Sequence, residues 1–307
     1  MSLPSAFEGR LRLPAIVSPM FLASGPALVT ACCRAGLVGT FPALNQRDTA
    51  GYEAWLDEIE ARLDPTSAPY GVNLIVHASN RRLEADLAVT VKRKVPLVIT
   101  SLGAVKDLVD AVHSYGGLVF HDVINRRHAE KAAEAGVDGI IAVCAGAGGH
   151  GGTFSPFALV PEIRSFFSGT IVLAGAISTG AQIAAARLIG ADLAYMGTRF
   201  IATAESLAPQ GFKEMIVGAR AADIVYTSAI SGVNANFLKP SIVAAGLDPD
   251  NLAPHTKLDM NGEAKVWKDI WSAGQGVGSI ADVPSAAELC ERLKDEFAAA
   301  KATAATL

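Results

Sequence analysis

Eight short apolar runs, several rich in β-branched residues, recur through the first two hundred or so residues, each followed by a longer stretch with helical periodicity. Runs that are apolar on both faces mark parallel strands buried beneath helices. They are PAIVSPM ending at Met20, LVGTFPA near Phe41, YGVNLIV through Asn73, PLVITS ending at Ser101, GLVFHDV through Asp122, GIIAVC ending at Cys144, TIVLAG ending at Gly175 and LAYMG ending at Gly197. The intervening segments, GYEAWLDEIEARL and TGAQIAAARLIGAD among them, carry helical spacing, and several close on glycine as helix C-termini prefer. Eight such units predict an α/β fold, a closed (β/α)8 TIM barrel whose chemistry lies at the C-terminal ends of the strands. An open doubly wound sheet is the other arrangement of these units, but no GxGxxG follows the first run, where a dinucleotide-binding sheet carries it.

After Phe200 the rhythm stops. The following stretch reads as helix, turn-rich connection and helix, and the chain ends in an Ala-rich amphipathic helix. The expected division is residues 1–204 as the barrel and 205–307 as a mostly helical C-terminal lobe packed on it. Its apolar helices suit either closure over the barrel or a subunit contact, so a homodimer is one expectation.

Composition removes other classes. The 26 basic and 30 acidic residues leave a net charge of −4, with no cationic cluster beyond pairs such as Arg81-Arg82 and Arg126-Arg127, which argues against a nucleic-acid binder. Cys32, Cys33, Cys144 and Cys290 are too few and too badly spaced for a disulfide framework or a zinc site and read as buried or free thiols. The N-terminus has charges and prolines where a signal peptide needs an apolar core, and no stretch forms an uncharged membrane span. A soluble, cytoplasmic protein is expected, with no membrane association.

The stretch AGAGGHGGTF, Ala145 to Phe154, sets five glycines around His150 immediately after the sixth run, on the expected catalytic face. Glycine there permits positive φ and close backbone approach to a flat or anionic ligand; a mobile loop with a solvent-facing histidine is the competing reading. Of the other histidines, His77, His113, His128 and His255 fall on helix or loop surfaces and His121 lies on a strand near the face; no two form a metal-ligand pair, so no metal is expected. LAGAIST and YMGTRF end the seventh and eighth runs, where barrels commonly build a phosphate site from backbone amides; Gly175, Ala176, Gly197 and Thr198 are the candidate donors. Arg199 beside them is either a phosphate partner or a cation paired elsewhere.

Taken in order, VSPMFLAS, GVNL, AGAGGHGG, LAGAIS and GADLAYMGTRF resemble the nitronate monooxygenase, or 2-nitropropane dioxygenase, family of FMN-dependent barrel enzymes, over about residues 13 to 200 with an echo in WSAGQGVGSI around Gln275. The resemblance implies FMN contacts at Pro19, Met20, Phe21, Asn73 and Gly149, and a phosphate held by backbone at Gly175, Ala176, Met196, Gly197 and Thr198. It implies that His150 removes the α-proton of neutral nitroalkanes, that Asp122 and Gln275 line the substrate, and that a nitronate is oxidised with O2 to a carbonyl compound and nitrite. An imidazole of ordinary pKa about 6.5 suits that proton transfer, and the organic step belongs to the cofactor.

Three departures stand out. The family commonly has glutamate at Gly146, some members have lysine where Asp122 aligns, and the family stretch resembling SGVNANF usually contains arginine where this chain has Asn236. Two other readings fit the same pattern: an FMN-dependent NAD(P)H reductase of a quinone or enoyl thioester, and a flavin-free barrel that is either a lyase or isomerase using the phosphate turns for a phosphorylated substrate or a non-catalytic binding protein. A small-molecule substrate, with O2 or NAD(P)H as co-substrate, is common to the flavin readings.

Overall fold

The eight apolar runs form the eight strands of a closed parallel barrel. A computed structural model describes residues 3–101, 103, 106–252 and 268–306. In chain order the strands are β1 (Ala15–Val17), β2 (Val38–Pro42), β3 (Tyr70–Ile75), β4 (Leu97–Ser101), β5 (Leu118–Val123), β6 (Gly139–Val143), a two-residue β7 (Gly149–His150) that stands outside the barrel, β8 (Thr170–Ala174) and β9 (Leu193–Met196). Each barrel strand pairs in parallel with the next, and β9 returns to β1, Tyr195 opposite Ile16.

Alternation along the strands makes two apolar layers. Ile16, Val38, Ile99, Phe120, Ile141 and Leu193 point inward and fill the interior, where Phe7 from an N-terminal turn meets Phe120 edge-on at 6.0 Å. Val17, Val72, Val98, Val119, Ile140 and Ile171 point outward against the helices. Below the cavity both faces of the strands are therefore dry, which is why the runs are mostly apolar rather than alternating. The helices are α1 (Pro26–Arg34), α2 (Thr49–Arg62), α3 (Leu83–Lys92), α4 (Lys106–His113), α5 (Arg126–Glu134), α6 (Pro156–Arg164) and α7 (Gly180–Leu188).

Beyond β9 come a short α8 (Thr198–Ile201), α9 (Gln210–Gly218), a hairpin of β10 (Ile224–Thr227) and β11 (Ala235–Leu238), α10 (Lys239–Ala244) and the long α11 (Ala286–Ala304). The turn-rich connection expected after Phe200 thus contains an antiparallel hairpin, and β7 joins its free edge to make a three-stranded sheet. Strands of four residues interrupted by Ser, Gly and Asn are too short to display a period of two. Helix α11 packs along α7 and also touches α1, closing the gap in the outer helical ring between the last barrel unit and the first. All four cysteines are buried and free, and burial pushes the Cys33 thiol up to about 12. Among the described residues no helix is long and apolar enough to cross a membrane.

The tightest point of the α7–α11 contact is Gly180, whose amide donates to Glu296 and where a Cβ would collide with the backbone of Leu293 and Phe297. Alanine normally stabilises a helix over glycine. Here Gly180→Ala is expected to lower stability by about 1–3 kcal/mol, because backbone atoms of α11 cannot give way as a side chain can. Equilibrium denaturation of the two proteins checks this; an equal or higher stability for the variant would contradict the packing of α11 against α7.

Candidate active site

The C-terminal ends of the barrel strands open into a cavity of about 1460 Å³. Its first wall is the loop after β1, where Ser18, Pro19, Met20, Phe21 and Leu22 all face the space. The loop is fixed by hydrogen bonds rather than by packing alone: the Ser18 amide donates to Met196 O at 3.0 Å and the Met20 amide to Ser24 Oγ at 3.0 Å. Asn45, a residue outside every motif, donates to Met20 O and Ser24 O and accepts from the Leu22 amide at 2.9 Å. That grip holds Leu22 at φ 58°, a left-handed conformation unusual for a non-glycine residue and a mark of imposed loop geometry.

The glycine-rich stretch after β6 forms the opposite wall, with Gly146 to His150 all lining the cavity. Its glycines serve backbone packing as well as access. A Cβ on Gly148 would come within 2.8 Å of the Gly274 amide, and one on Gly274 within 2.5 Å of Gly146 O. Gly146 itself takes φ +84°, and its carbonyl accepts from the Gln275 amide at 2.9 Å and the Ala176 amide at 3.3 Å. A glutamate at Gly146 would be strained at this φ. Gln275 is exposed beside Gly146 and is absent from the cavity lining, whereas its neighbours Gly274 and Gly276 line it.

Strand pairing sets His150. As part of β7 it lies opposite Ala235 of β11, while Asn236, buried where the family usually has arginine, donates from Nδ2 to Ala147 O at 2.6 Å. Tyr226 donates to Gly151 O at 2.9 Å, and the Ser231 hydroxyl lies 3.5 Å from His150 Nε2. The loop is thus tied down on both sides of the imidazole. Half-buried on the cavity wall, His150 is pushed by desolvation down to about 4, so that its ring is neutral near pH 7.

The turns after β8 and β9 form the third wall. Gly175, Ala176, Ile177, Ser178, Gly197 and Thr198 line the cavity, and Gly175 and Ala176 both take positive φ, 135° and 53°. The start of α7 is already satisfied: Thr179 and Gln182 make a reciprocal capping box, and the Ser178 amide also donates to Gln182. What stands open is the Ser178 hydroxyl, buried and without a hydrogen-bond partner among the described residues, and the β9–α8 turn, where Phe200 and Ile201 both donate to Gly197 O and the amides of Thr198 and Arg199 precede the first helical bond. Thr198 Oγ1 accepts from the Gly274 amide at 2.8 Å, tying this turn to the glycine-rich wall. Met196 is fully buried in β9 and outside the lining; its carbonyl serves Ser18. Arg199 is buried with its guanidinium on Asp282 at 2.8 Å, so it is paired away from the cavity.

The floor is the last inward-facing layer of the barrel: Asn73, whose side-chain amide donates to Ile99 O at 3.2 Å, with Ser18, Asp122 and Tyr195. Asp122 Oδ1 and the Tyr195 hydroxyl are shielded and have no hydrogen-bond partner among the described residues, and burial pushes the Asp122 carboxyl up to about 7. His121 also lines the cavity, its Nδ1 2.8 Å from the Thr100 hydroxyl, and burial lowers it to about 4. His77 pairs with Ser79 and His113 with Asp138, while exposed His128 reaches the cavity's outer wall. His255 lies outside the described residues.

Residues 79–296 match the family model described as nitronate monooxygenase. The chain is 29% identical over 338 aligned positions to a nitronate monooxygenase of Paraburkholderia phytofirmans, covering 92% of each protein. Among solved structures it is similar to nitroalkane oxidase from Streptomyces ansochromogenes, with a TM-score of 0.83 and 25% identity over 97% of this chain and 99% of that one. It shares the fold of FabK from Thermotoga maritima, with a TM-score of 0.81 and 24% identity over 97% and 96% of the two chains. The family match spans well over half of the sequence and includes the glycine-rich wall, the floor residue Asp122 and both phosphate-type turns, and on it this chain belongs to the nitronate monooxygenase family of oxidoreductases.

Proposed function

We propose that the protein is an FMN-dependent enzyme that oxidises nitronates and nitroalkanes with O2 to a carbonyl compound and nitrite. The observation that carries this reading is His150: a neutral imidazole held by strand pairing on the wall of a cavity whose far side offers an unsatisfied hydroxyl and open amides.

The residues present fit FMN. An orphaned Ser178 hydroxyl, the Gly175–Ala176 turn at positive φ and the amides ahead of α8 suit a phosphate bound by dipoles rather than by a cation, since Arg199 is committed to Asp282. Pro19, Met20, Phe21, Asn73 and Gly149 then border the ring. In this reading residues 1–204 make most of the cofactor contacts, and 205–307 supply the hairpin and the Gly274 segment that brace the histidine wall. Electron acceptance, and return of the electrons to oxygen, are what FMN supplies when bound.

The protein's share is proton handling and charge. Neutral His150 accepts the α-proton of a nitroalkane through its imidazole, and the imidazolium so formed faces the nitronate anion. Burial makes it a weaker base than an exposed histidine, so a preformed nitronate, which needs no proton removed, is the easier substrate. A second reading, an NAD(P)H-dependent reductase of a quinone or enoyl thioester, is favoured by one feature: the outer cavity wall carries Arg47, Arg81, Lys106 and Lys131, more cationic surface than a small nitronate needs. Anaerobic bleaching of the flavin by a nitronate but not by NADH is expected; bleaching by NADH alone would move the assignment to the reductase.

His150→Ala is expected to keep its FMN and to lose about 10²–10⁴-fold in kcat/KM on a neutral nitroalkane. The loss on the preformed nitronate is expected to be far smaller; equal losses on the two substrates would remove His150 as the base. The pH profile carries a sign as well. Because burial lowers the His150 pKa to about 4, its base form persists on acidification, and kcat/KM for the neutral nitroalkane is expected to hold from pH 7 to about 5 and to fall only as pH nears 4. A falling limb near the ordinary histidine value of about 6.5 would contradict the buried, neutral ring.

A further inference from the structure

The floor of the cavity ends in two polar groups that the protein leaves unsatisfied. Asp122 stands one step above Phe120 on the inward face of β5, and Tyr195 one step above Leu193 on β9; Asp122 Oδ1 and the Tyr195 hydroxyl are both shielded from solvent and have no hydrogen-bond partner among the described residues. Native interiors rarely leave such groups unmatched, and both side chains line the space where a ligand lies.

The charges around Asp122 give it no ionic partner. No ion pair involves it among the described residues. Tyr195 faces it from β9, His150 lines the wall from β7, and His121, beside it in sequence and also in the lining, has its Nδ1 on the Thr100 hydroxyl. From β4 and β6 the neighbouring lining residues are the uncharged Ser101 and Val143, while Lys106 on α4 and His128, Lys131 and Glu134 on α5 stand at the outer wall. Burial is the one influence that moves its carboxyl, upward to about 7, and Tyr195 is pushed up by burial first and by the Asp122 charge second. A carboxylate here would be unpaired and poorly solvated; a carboxylic acid would be a hydrogen-bond donor.

We infer that Asp122 and Tyr195 form an uncharged hydrogen-bonding seat for the flavin ring, in which Asp122 is the protonated acid, so that binding of FMN takes up one proton at Asp122. This rests on the FMN reading above. The ring carries carbonyl and nitrogen acceptors along one edge, which a carboxylic acid and a phenol satisfy and a carboxylate repels. Covering the floor with the ring lowers the polarity around Asp122 further, which favours the uncharged form. The acid makes affinity for the cofactor depend on pH.

The sign follows from linkage. A group protonated in the complex and titrating near 7 in the free protein binds its ligand best below that value, and affinity falls about tenfold per pH unit above it until the complex itself loses the proton. The test is fluorescence titration of FMN into the full chain, freed of bound flavin, from pH 6 to 9, for the wild type, Asp122→Asn and Asp122→Ala. Calorimetry at pH 8 in two buffers of different ionisation enthalpy counts the protons.

Wild-type affinity is expected to weaken tenfold or more between pH 7 and 9 relative to Asp122→Asn, and the wild type alone takes up a proton that the variant does not. The phosphate of FMN titrates in both proteins and cancels in the comparison; if Asp122→Asn does not fold, Asp122→Ala supplies the same pH-independent reference. Parallel pH profiles with equal proton uptake would overturn the role of Asp122 and leave the flavin reading standing. Failure of the wild type to bind FMN at any pH would overturn both.

Discussion

Closing eight parallel strands into a barrel forces each side chain into one of two dry layers, one sealed inside the barrel and one pressed against the helices. Phe7 blocks the interior at one end, and apolar inward residues such as Phe120 and Leu193 fill it. The polar groups of the floor stand in the last inward layer, at the C-terminal ends of the strands. Asn73, Asp122 and Tyr195 occupy that layer, and the cavity begins above them. The position of the site is thus a consequence of barrel closure before any loop is considered.

The loops then supply what the barrel lacks. Three segments far apart in sequence meet around Gly146: the stretch that carries His150, the turn at Ala176 and the backbone at Gly274–Gln275. Their contacts are backbone to backbone, which explains the glycines on both sides of the meeting point, at Gly146, Gly148 and Gly274. The hairpin of β10 and β11 adds a third support by pairing with β7, so the histidine rests on a small sheet rather than on a free loop. Held in this way the imidazole is partly desolvated, and its lowered basicity follows from the same contacts that orient it.

Much of this was legible in the sequence because it is local. The barrel strands announce themselves through unbroken apolar runs, and the placement of Gly175, Gly197 and His150 at the cavity follows from their position just after strands. What was not legible depends on partners remote in the chain. Asn45 reads as an ordinary loop residue until it is seen bonding Met20, Leu22 and Ser24. Arg199 gives no sign of its partner Asp282, 83 positions away, and the open hydroxyl of Ser178 shows only when its neighbours are known to be satisfied elsewhere. Met196 and Gln275 lie next to lining residues, but one is folded into the strand and the other points to solvent, distinctions that spacing alone does not carry.

Departures from the family's usual residues are equally instructive. Asn236 uses its amide to hold Ala147, a structural task, and Gly146 accommodates a backbone conformation that a longer residue would resist. Asp122 Oδ1 has no hydrogen-bond partner among the described residues, and the proposed seat gives it to the flavin ring. The proposed occupant of the cavity is FMN, so the most direct measurement is the visible absorbance spectrum of the purified protein before and after incubation with FMN and removal of the excess. Flavin bands shifted from those of free FMN, at one equivalent per chain, are the expected result. A protein that stays colourless after reconstitution would contradict the assignment of the cavity and its glycine-rich walls to FMN.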